Sequence, residues 1–363
     1  MNINIAEHLR IIWAIASKDI RDSIKNKIVL GILIGVGFLM LSSQAMPIIM
    51  KVNAEPRAFF YDLGKSTALR EIVRSREIQF FPVDTFQEMV NSVGSSSIPV
   101  LGLIIPSDFD LAVNNGSTIL LDGYSIHWAR PSEIDDLITH FQDTLSGMTG
   151  QTIEIQLVND SVYPNPAEPG FTDMIVTGLV IVVMTISLIL VPFLIIEEKE
   201  NHTFEVLIIS PAKISHLLAG KSIAGMLYGL VAATVMLIFS SRWIVHWELV
   251  ILAVFLGSLA SVSLGLFFGI TFKNFTTINL WVGIAIVLLL IPAFLWTGIQ
   301  NKLSIPIRIL FQAFPSFAMS NLVGVSLLEG SSFTDIWDNT AVLIGFVIVT
   351  LSLVWWKIWK MDI

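Results

Sequence analysis

The sequence predicts a polytopic α-helical membrane protein of six transmembrane helices with an inserted extracytoplasmic α/β domain. Three observations carry that reading. Of 363 residues, 54% are hydrophobic and only 14% charged, against roughly 25% charged in a soluble domain. Apolar runs of about 20 residues, enough to cross ~30 Å of hydrocarbon, recur along the chain. One long interval, 51–172, interrupts them with alternating strand-like and helix-like runs. The chain has no cysteine, which excludes disulfides, thiolate metal sites and cysteine nucleophiles.

The first element, 1–27, reads as an amphipathic helix. Leu9, Ile12, Trp13 and Ala16 share a face continued by Ile20 and Ile24, and Arg10, Lys18, Arg21, Lys25 and Lys27 outnumber Glu7, Asp19 and Asp22. A basic amphipathic helix with a tryptophan suits the plane of a membrane surface. The first span, 28–50, follows at once. It is too long for the core of a cleaved signal peptide, and Ser42 to Pro47 is a poor cleavage site. An uncleaved anchor with its basic flank in the cytoplasm is expected.

Within 51–172, strand-like runs at Ala58–Tyr61, Ile78–Val83, Val100–Ile105, Thr118–Leu121 and Ile153–Val158 alternate with helical candidates. The helices are Ser66–Arg76, Asp84–Val93, Ser107–Asn114 and Pro131–Met148. Asp84 with Gln87, and Ser107 with Asp110, have the spacing of N-caps with reciprocal partners. The alternation predicts a small sheet with parallel pairings. Seven Lys/Arg face sixteen Asp/Glu here, so no basic footprint for nucleic acid exists.

Five more spans follow at 173–196, 222–240, 249–271, 278–296 and 340–356, with a short tail at 357–363. Segments assigned inside carry Arg10, Lys18, Arg21, Lys25, Lys27, Lys199, Lys213, Lys221, Lys273, Lys357 and Lys360; short outer loops carry Arg242, Lys302 and Arg308. That excess places both termini in the cytoplasm. The interval 303–328 is apolar but broken by Pro306 and Pro315, and reads as a pair of re-entrant helices on the outer side.

The spans contain no Asp, Glu, Lys or Arg in their interior, which argues against a carrier driven by its own proton or ion coupling. The six histidines show no ligand pair at helical spacing, and Ser125 beside His127 is too slight for a hydrolase triad. Gly220-Lys221-Ser222 imitates the tail of a phosphate-binding loop, but the required first glycine is Ser215. The spacings Gly31/Gly35, Gly225/Gly229 and Gly265/Gly269 permit close helix contact, within the subunit or across a dimer.

The remaining polar interval, 197–221, joins the second and third spans. It holds Glu197, Glu198, Glu200 and Glu205 with Lys199, Lys213 and Lys221, and Pro211 divides it. Phe204, Leu207 and Ile208 before the proline, and Ile214, Leu217 and Leu218 after it, give each half an apolar stripe. An amphipathic loop on lipid headgroups and a docking surface for a partner both fit this pattern.

This interval resembles the membrane subunits of ABC transporters of the ABC-2 type. Their second span ends in a pattern E-x-E-K-x-x-T-x-E, then S-P, then a helix ending Gly-Lys; here stand Glu198-Lys199-Glu200, Thr203, Glu205, Ser210-Pro211 and Gly220-Lys221. The acidic cluster is shifted and doubled relative to that pattern. The interfacial helix at Ile5–Lys27 and the re-entrant pair at Leu303–Leu328 resemble those of the family, and the insert with its Gly102 to Phe109 turn resembles the subgroup that includes sodium- and drug-efflux permeases. The resemblance implies a non-enzymatic permease that dimerises and carries no cofactor of its own, with ATP and magnesium bound by a separate ABC-type ATPase subunit. It implies that Glu197, Glu198, Glu200, Thr203, Phe204, Glu205, Ser210, Pro211, Leu217, Gly220 and Lys221 couple to that subunit. The glutamates would then make rim contacts, with short coupling helices at Phe204–Ile209 and Ile214–Ala219. It also implies a multi-pass protein of a prokaryotic-type plasma membrane, acting as an exporter. A membrane-anchored binding or signalling protein working through the α/β domain is the other reading. A membrane-embedded enzyme is disfavoured, because no paired carboxylates or histidine cluster meet at the spans.

Overall fold

A computed structural model of the chain describes residues 5–27, 30, 31, 34, 35, 37, 38, 42, 55–75, 79–158, 161–165, 171–201, 214–299, 304–330 and 333–361. It divides into two compact units. One comprises Met1–Ser43, Ile175–Ser326 and Gly330–Ile363; the other comprises Gln44–Met174 and Leu327–Glu329.

The second unit holds a five-stranded sheet. In chain order its elements are β1 (Arg57–Asp62), α2 (Thr67–Ser75), β2 (Gln79–Val83), α3 (Phe86–Gly94), β3 (Leu101–Ile105), α4 (Phe109–Asn115), β4 (Ile119–Ser125), α5 (Pro131–Thr149) and β5 (Ile153–Leu157). The order across the sheet is β2-β1-β3-β4-β5. Three of its pairings are parallel, but β3 and β4 run antiparallel. The link between them contains only the seven-residue α4, whose rise of about 10 Å falls short of the ~17 Å of a five-residue strand. The chain therefore turns back rather than crossing over. Central β3 is apolar throughout and buried on both faces, and Phe60, Phe80, Leu103, Ile105, Phe109 and Phe141 pack around it.

Both predicted caps shift. The N-cap of α3 is Thr85, not Asp84: its hydroxyl accepts from the Glu88 N–H, and the Glu88 carboxylate accepts from the Asp84 N–H. Asp84/Gln87 and Thr85/Glu88 have the same spacing, and only the second places a carboxylate over the open backbone N–H. Asp110 does not serve α4 either. Its carboxylate accepts from Ser66 Oγ, from the N–H and hydroxyl of Thr67, and from the Ala68 N–H, closing the start of α2.

The helical unit begins with α1 (Ile5–Lys25) and continues with α6 (Phe171–Glu200), α7 (Ile214–Ser240), α8 (Trp247–Thr271), α9 (Phe275–Ile299), α10 (Ile305–Gln312), α11 (Pro315–Val325) and α12 (Phe333–Met361). Among the described residues, five helices are long and apolar enough to cross a membrane: α6, α7, α8, α9 and α12. The predicted first span, 28–50, lies largely outside the described residues. The apolar windows of α6 and α8 are 83% and 72% buried, whereas those of α7, α9 and α12 are only 28%, 22% and 22% buried. α6 and α8 therefore form the centre, and the other three leave broad apolar faces outside, as a lipid surround requires. In the predicted re-entrant interval, Pro315 opens α11 directly after α10. α11 is buried, with Met319 against Gly257 of α8 and Ser316 Oγ donating to the Leu289 carbonyl of α9.

Two spacings of glycines close on the same stretch of α6. Gly225 and Gly229 of α7 meet Val191 and Ser187; Gly265 and Gly269 of α8 meet Val191, Pro192 and Ile195. Where a Cβ on Gly269 would sit, Ile195 Cβ is 3.0 Å and the Pro192 Cα 3.1 Å away, so a side chain there would press on the backbone of α6 and hold α8 off. The predicted separate helix Ile214–Ala219 does not form. Ile214 instead opens the continuous 27-residue α7, which runs on through Gly220, where no proline interrupts it. Of the predicted interval 197–221, residues 197–200 end α6 and 214–221 open α7, while 202–213, including the predicted helix Phe204–Ile209, lie outside the described residues.

Candidate functional site

The last turn of α6 reads Glu197-Glu198-Lys199-Glu200, and these four side chains reach four other segments. Glu197 Oε1 accepts from Asn26 Nδ2, just past α1, at 2.9 Å. Glu198 Oε1 lies 3.1 Å from Lys221 Nζ on α7 and 3.3 Å from Lys18 Nζ on α1. Lys199 Nζ donates to the carbonyls of Gly269, Ile270 and Phe272 at the end of α8, at 2.7, 3.0 and 2.9 Å. Glu200 Oε1 accepts the N–H of Phe275, the first residue of α9, at 3.1 Å. A helix ends in uncompensated carbonyls and begins with uncompensated N–H groups, so a cation followed by an anion matches the α8-to-α9 turn.

Lys221 is the most buried charge of the cluster, its side chain fully covered. Three acceptors surround its ammonium: Asp19 Oδ2 at 3.1 Å, the Leu194 carbonyl at 2.9 Å and Glu198 Oε1 at 3.1 Å. That matches the three protons it has to place. Burial pushes the Asp19 carboxyl above its usual range; Lys221 pulls it down, while Glu198 pushes it up again. Burial pulls Lys18 down, but Glu198, Asp19 and Asp22 more than offset it and hold it above its ordinary value.

Gly220 precedes this lysine for a steric reason: a Cβ there would lie 2.7 Å from Ile15 Cγ2 and 3.1 Å from the Ile12 carbonyl. α1 then follows α7 in the same direction. His8 Nδ1 is 2.6 Å from His216 Nε2, and Tyr228 Oη donates to the Ile20 carbonyl at 2.9 Å, both at a sequence separation of 208. A constant offset over twelve residues means two helices running side by side. The predicted single apolar face of α1 is therefore divided. Ile12, Ala16 and Ile20 turn toward the protein, whereas Leu9, Trp13 and Ile24 are more than 60% exposed.

Of the sequence-predicted site residues, Glu197, Glu198, Glu200, Leu217, Gly220 and Lys221 come together at this end of the helical unit. Thr203, Phe204, Glu205, Ser210 and Pro211 lie outside the described residues. Glu198, one of the glutamates expected at a rim, is instead buried and paired with Lys221 within the chain. Sequence reasoning missed Lys18, Asp19 and Asn26 and the meeting of His8 with His216. For Asp19 a signal existed, since it stands on the same helical face as Ile12, Ala16 and Ser23. Nearby, α6 and α9 enclose a cleft of about 310 Å³ lined by Ile189, Pro192, Phe193, Phe275, Ile278, Asn279 and Val282.

No curated protein and no solved structure matches the chain. The family model for the ABC-2 family transporter protein matches residues 28–356. With five membrane-length helices and this family signature over most of its length, the chain belongs to the ABC-2 transporter family and is a multi-pass membrane permease component of an ABC transporter.

Proposed function

We infer that the chain is the membrane-spanning subunit of an ATP-driven exporter. It forms the path as a dimer and docks a separate ABC-type ATPase through residues 201–213. In this reading both termini and that link face the cytoplasm of a prokaryotic-type cell, and residues 51–172 lie outside. The single observation that carries it is the four-residue end of α6. A push on the link at residue 201 arrives at once at α1, α7, α8 and α9, through Glu197, Glu198, Lys199 and Glu200. Coupling requires contacts that differ between two states, and closure of the ATPase pair would supply the second state by rotating α6 and α9, the second and fifth spans. The cleft between those helices, apolar but for Asn279, favours a hydrophobic or amphiphilic passenger over a bare ion.

The docking residues are then Phe204 and Glu205, while Glu198 and Lys221 hold the platform behind them. Co-expression with the ATPase should yield a stoichiometric complex, and Phe204→Ala/Glu205→Ala should lose it while leaving the permease folded. A double variant that retains the complex and its ATP hydrolysis would overturn the docking assignment. The binding-protein reading has one observation in its favour, a cavity of about 270 Å³ lined by Glu55, Pro56, Ile98, Pro99, Glu133, Asp136 and Leu137. It predicts a chain that purifies without an ATPase.

A further inference from the structure

The turn 272–274 between α8 and α9 is held from outside its own helices. On one side the Phe272 N–H closes the last turn of α8 on Phe268, and the carbonyls left over at Gly269, Ile270 and Phe272 all accept from Lys199. On the other side Asn274 Oδ1 accepts from the Thr277 N–H as a local cap, and the remaining N–H of Phe275 is taken by Glu200. A turn needs no third helix to be stable, since solvent or a local side chain satisfies such groups. Here two consecutive residues of α6 do it, with the signs that the two helix ends demand. Gly269 supplies the access, because Ile195 and Pro192 of α6 occupy the space of a side chain there.

We propose that Lys199 and Glu200 are positioning residues that clamp the α8–α9 turn to the end of α6, so that the turn travels with α6 when the transporter changes state. The proposal deepens the permease reading above and rests on it for the source of the motion. The order of the charges is part of the claim. Exchanging them keeps composition and net charge but sets an anion against the α8 carbonyls and a cation against the α9 N–H.

The chain has no cysteine, so a spin-label pair can be placed with Asn201→Cys and Lys273→Cys without other changes. In the full-length chain, pulsed EPR should give a narrow distance distribution, and Lys199→Glu/Glu200→Lys should broaden and lengthen it. Lys199→Arg, which keeps the cation, should retain the narrow form. In the complex with its ATPase, the wild-type distance should stay the same on trapping with ATP and vanadate. The exchanged variant should keep the stoichiometric complex but lose about tenfold in the stimulation of ATP hydrolysis over the free ATPase, within the usual range of coupling between sites. A wild-type distance that moves by more than about 5 Å, one helical turn, on trapping overturns the clamp. So does an exchanged variant with the wild-type distribution, and so does loss of the complex on exchange, which would make the pair docking residues. If the exchanged chain does not fold, the wild-type trapping measurement decides alone. A wild-type chain that assembles with no ATPase would sink the permease reading, while the comparison on the isolated chain still tests the clamp.

Discussion

Lys221 shows how much of the fold rests on single charges. An ammonium with no exposed surface is tolerable only because Asp19, Glu198 and the Leu194 carbonyl surround it. Removing one partner of such a pair typically costs about 3–5 kcal/mol, because the other charge stays buried. Lys221→Ala and Asp19→Ala should therefore destabilise the detergent-solubilised chain by that order and lower its denaturation midpoint, whereas Arg21→Ala, at an exposed site on α1, should leave the midpoint nearly unchanged. Asp110 is the counterpart in the sheet-containing unit. Burial pushes its carboxyl up, but the hydrogen bonds from Ser66, Thr67 and Ala68 prevail and hold it at about 2, against an ordinary 3.8. A depressed carboxylate contributes stability above its unfolded value and loses it as pH falls through the folded one. Hydrogen exchange at the start of α2 should accelerate as pH drops from about 4 to about 2 beyond the intrinsic rate change, and Asp110→Asn should remove that dependence.

At the scale of elements, the strands and helices of 57–157 were legible because alternation and turn residues are local signals. Ala58–Tyr61 and Ile153–Val158 fall within a residue of β1 and β5. The sign of the β3–β4 pairing was not legible, because it depends on how far the short α4 reaches. Hydropathy singles out α6, the most apolar of the five long helices, but barely separates α8 from the others. Their central place comes from the glycines of α7 and α8 that close on α6, and periodicity alone does not say which helix a glycine meets. The side-by-side course of α1 and α7 hangs on Gly220 in the same way. Gly220→Val should force the two helices apart, at the about 1–3 kcal/mol typical of overpacking. Cross-linking of His8→Cys to His216→Cys by a short bis-maleimide, efficient in the parent sequence, should fail in that variant.

For the whole molecule, the acidic, polar end of α6 was visible as a site because charge is rare in this chain, but its inward use was not. The sequence pattern marks Glu198 and Lys221 as polar residues between two spans. Only the folded chain reveals that Asp19, about 180 residues before Glu198, turns them into an internal triad. Orientation is a separate claim resting on the distribution of lysine and arginine. A single cysteine replacing Asp143 on α5 should react in intact cells with a membrane-impermeant maleimide, and one replacing Lys360 should react only after lysis; the reverse pattern would invert the topology.

The central claim is that the driving force comes from a docked ATPase rather than from the chain itself. Sealed vesicles containing the purified chain, with and without its ATPase, test it by following a fluorescent amphiphile. ATP-dependent accumulation against the gradient is expected only when the ATPase is present. Uphill movement by the chain alone, with or without an imposed proton or sodium gradient, would contradict the account.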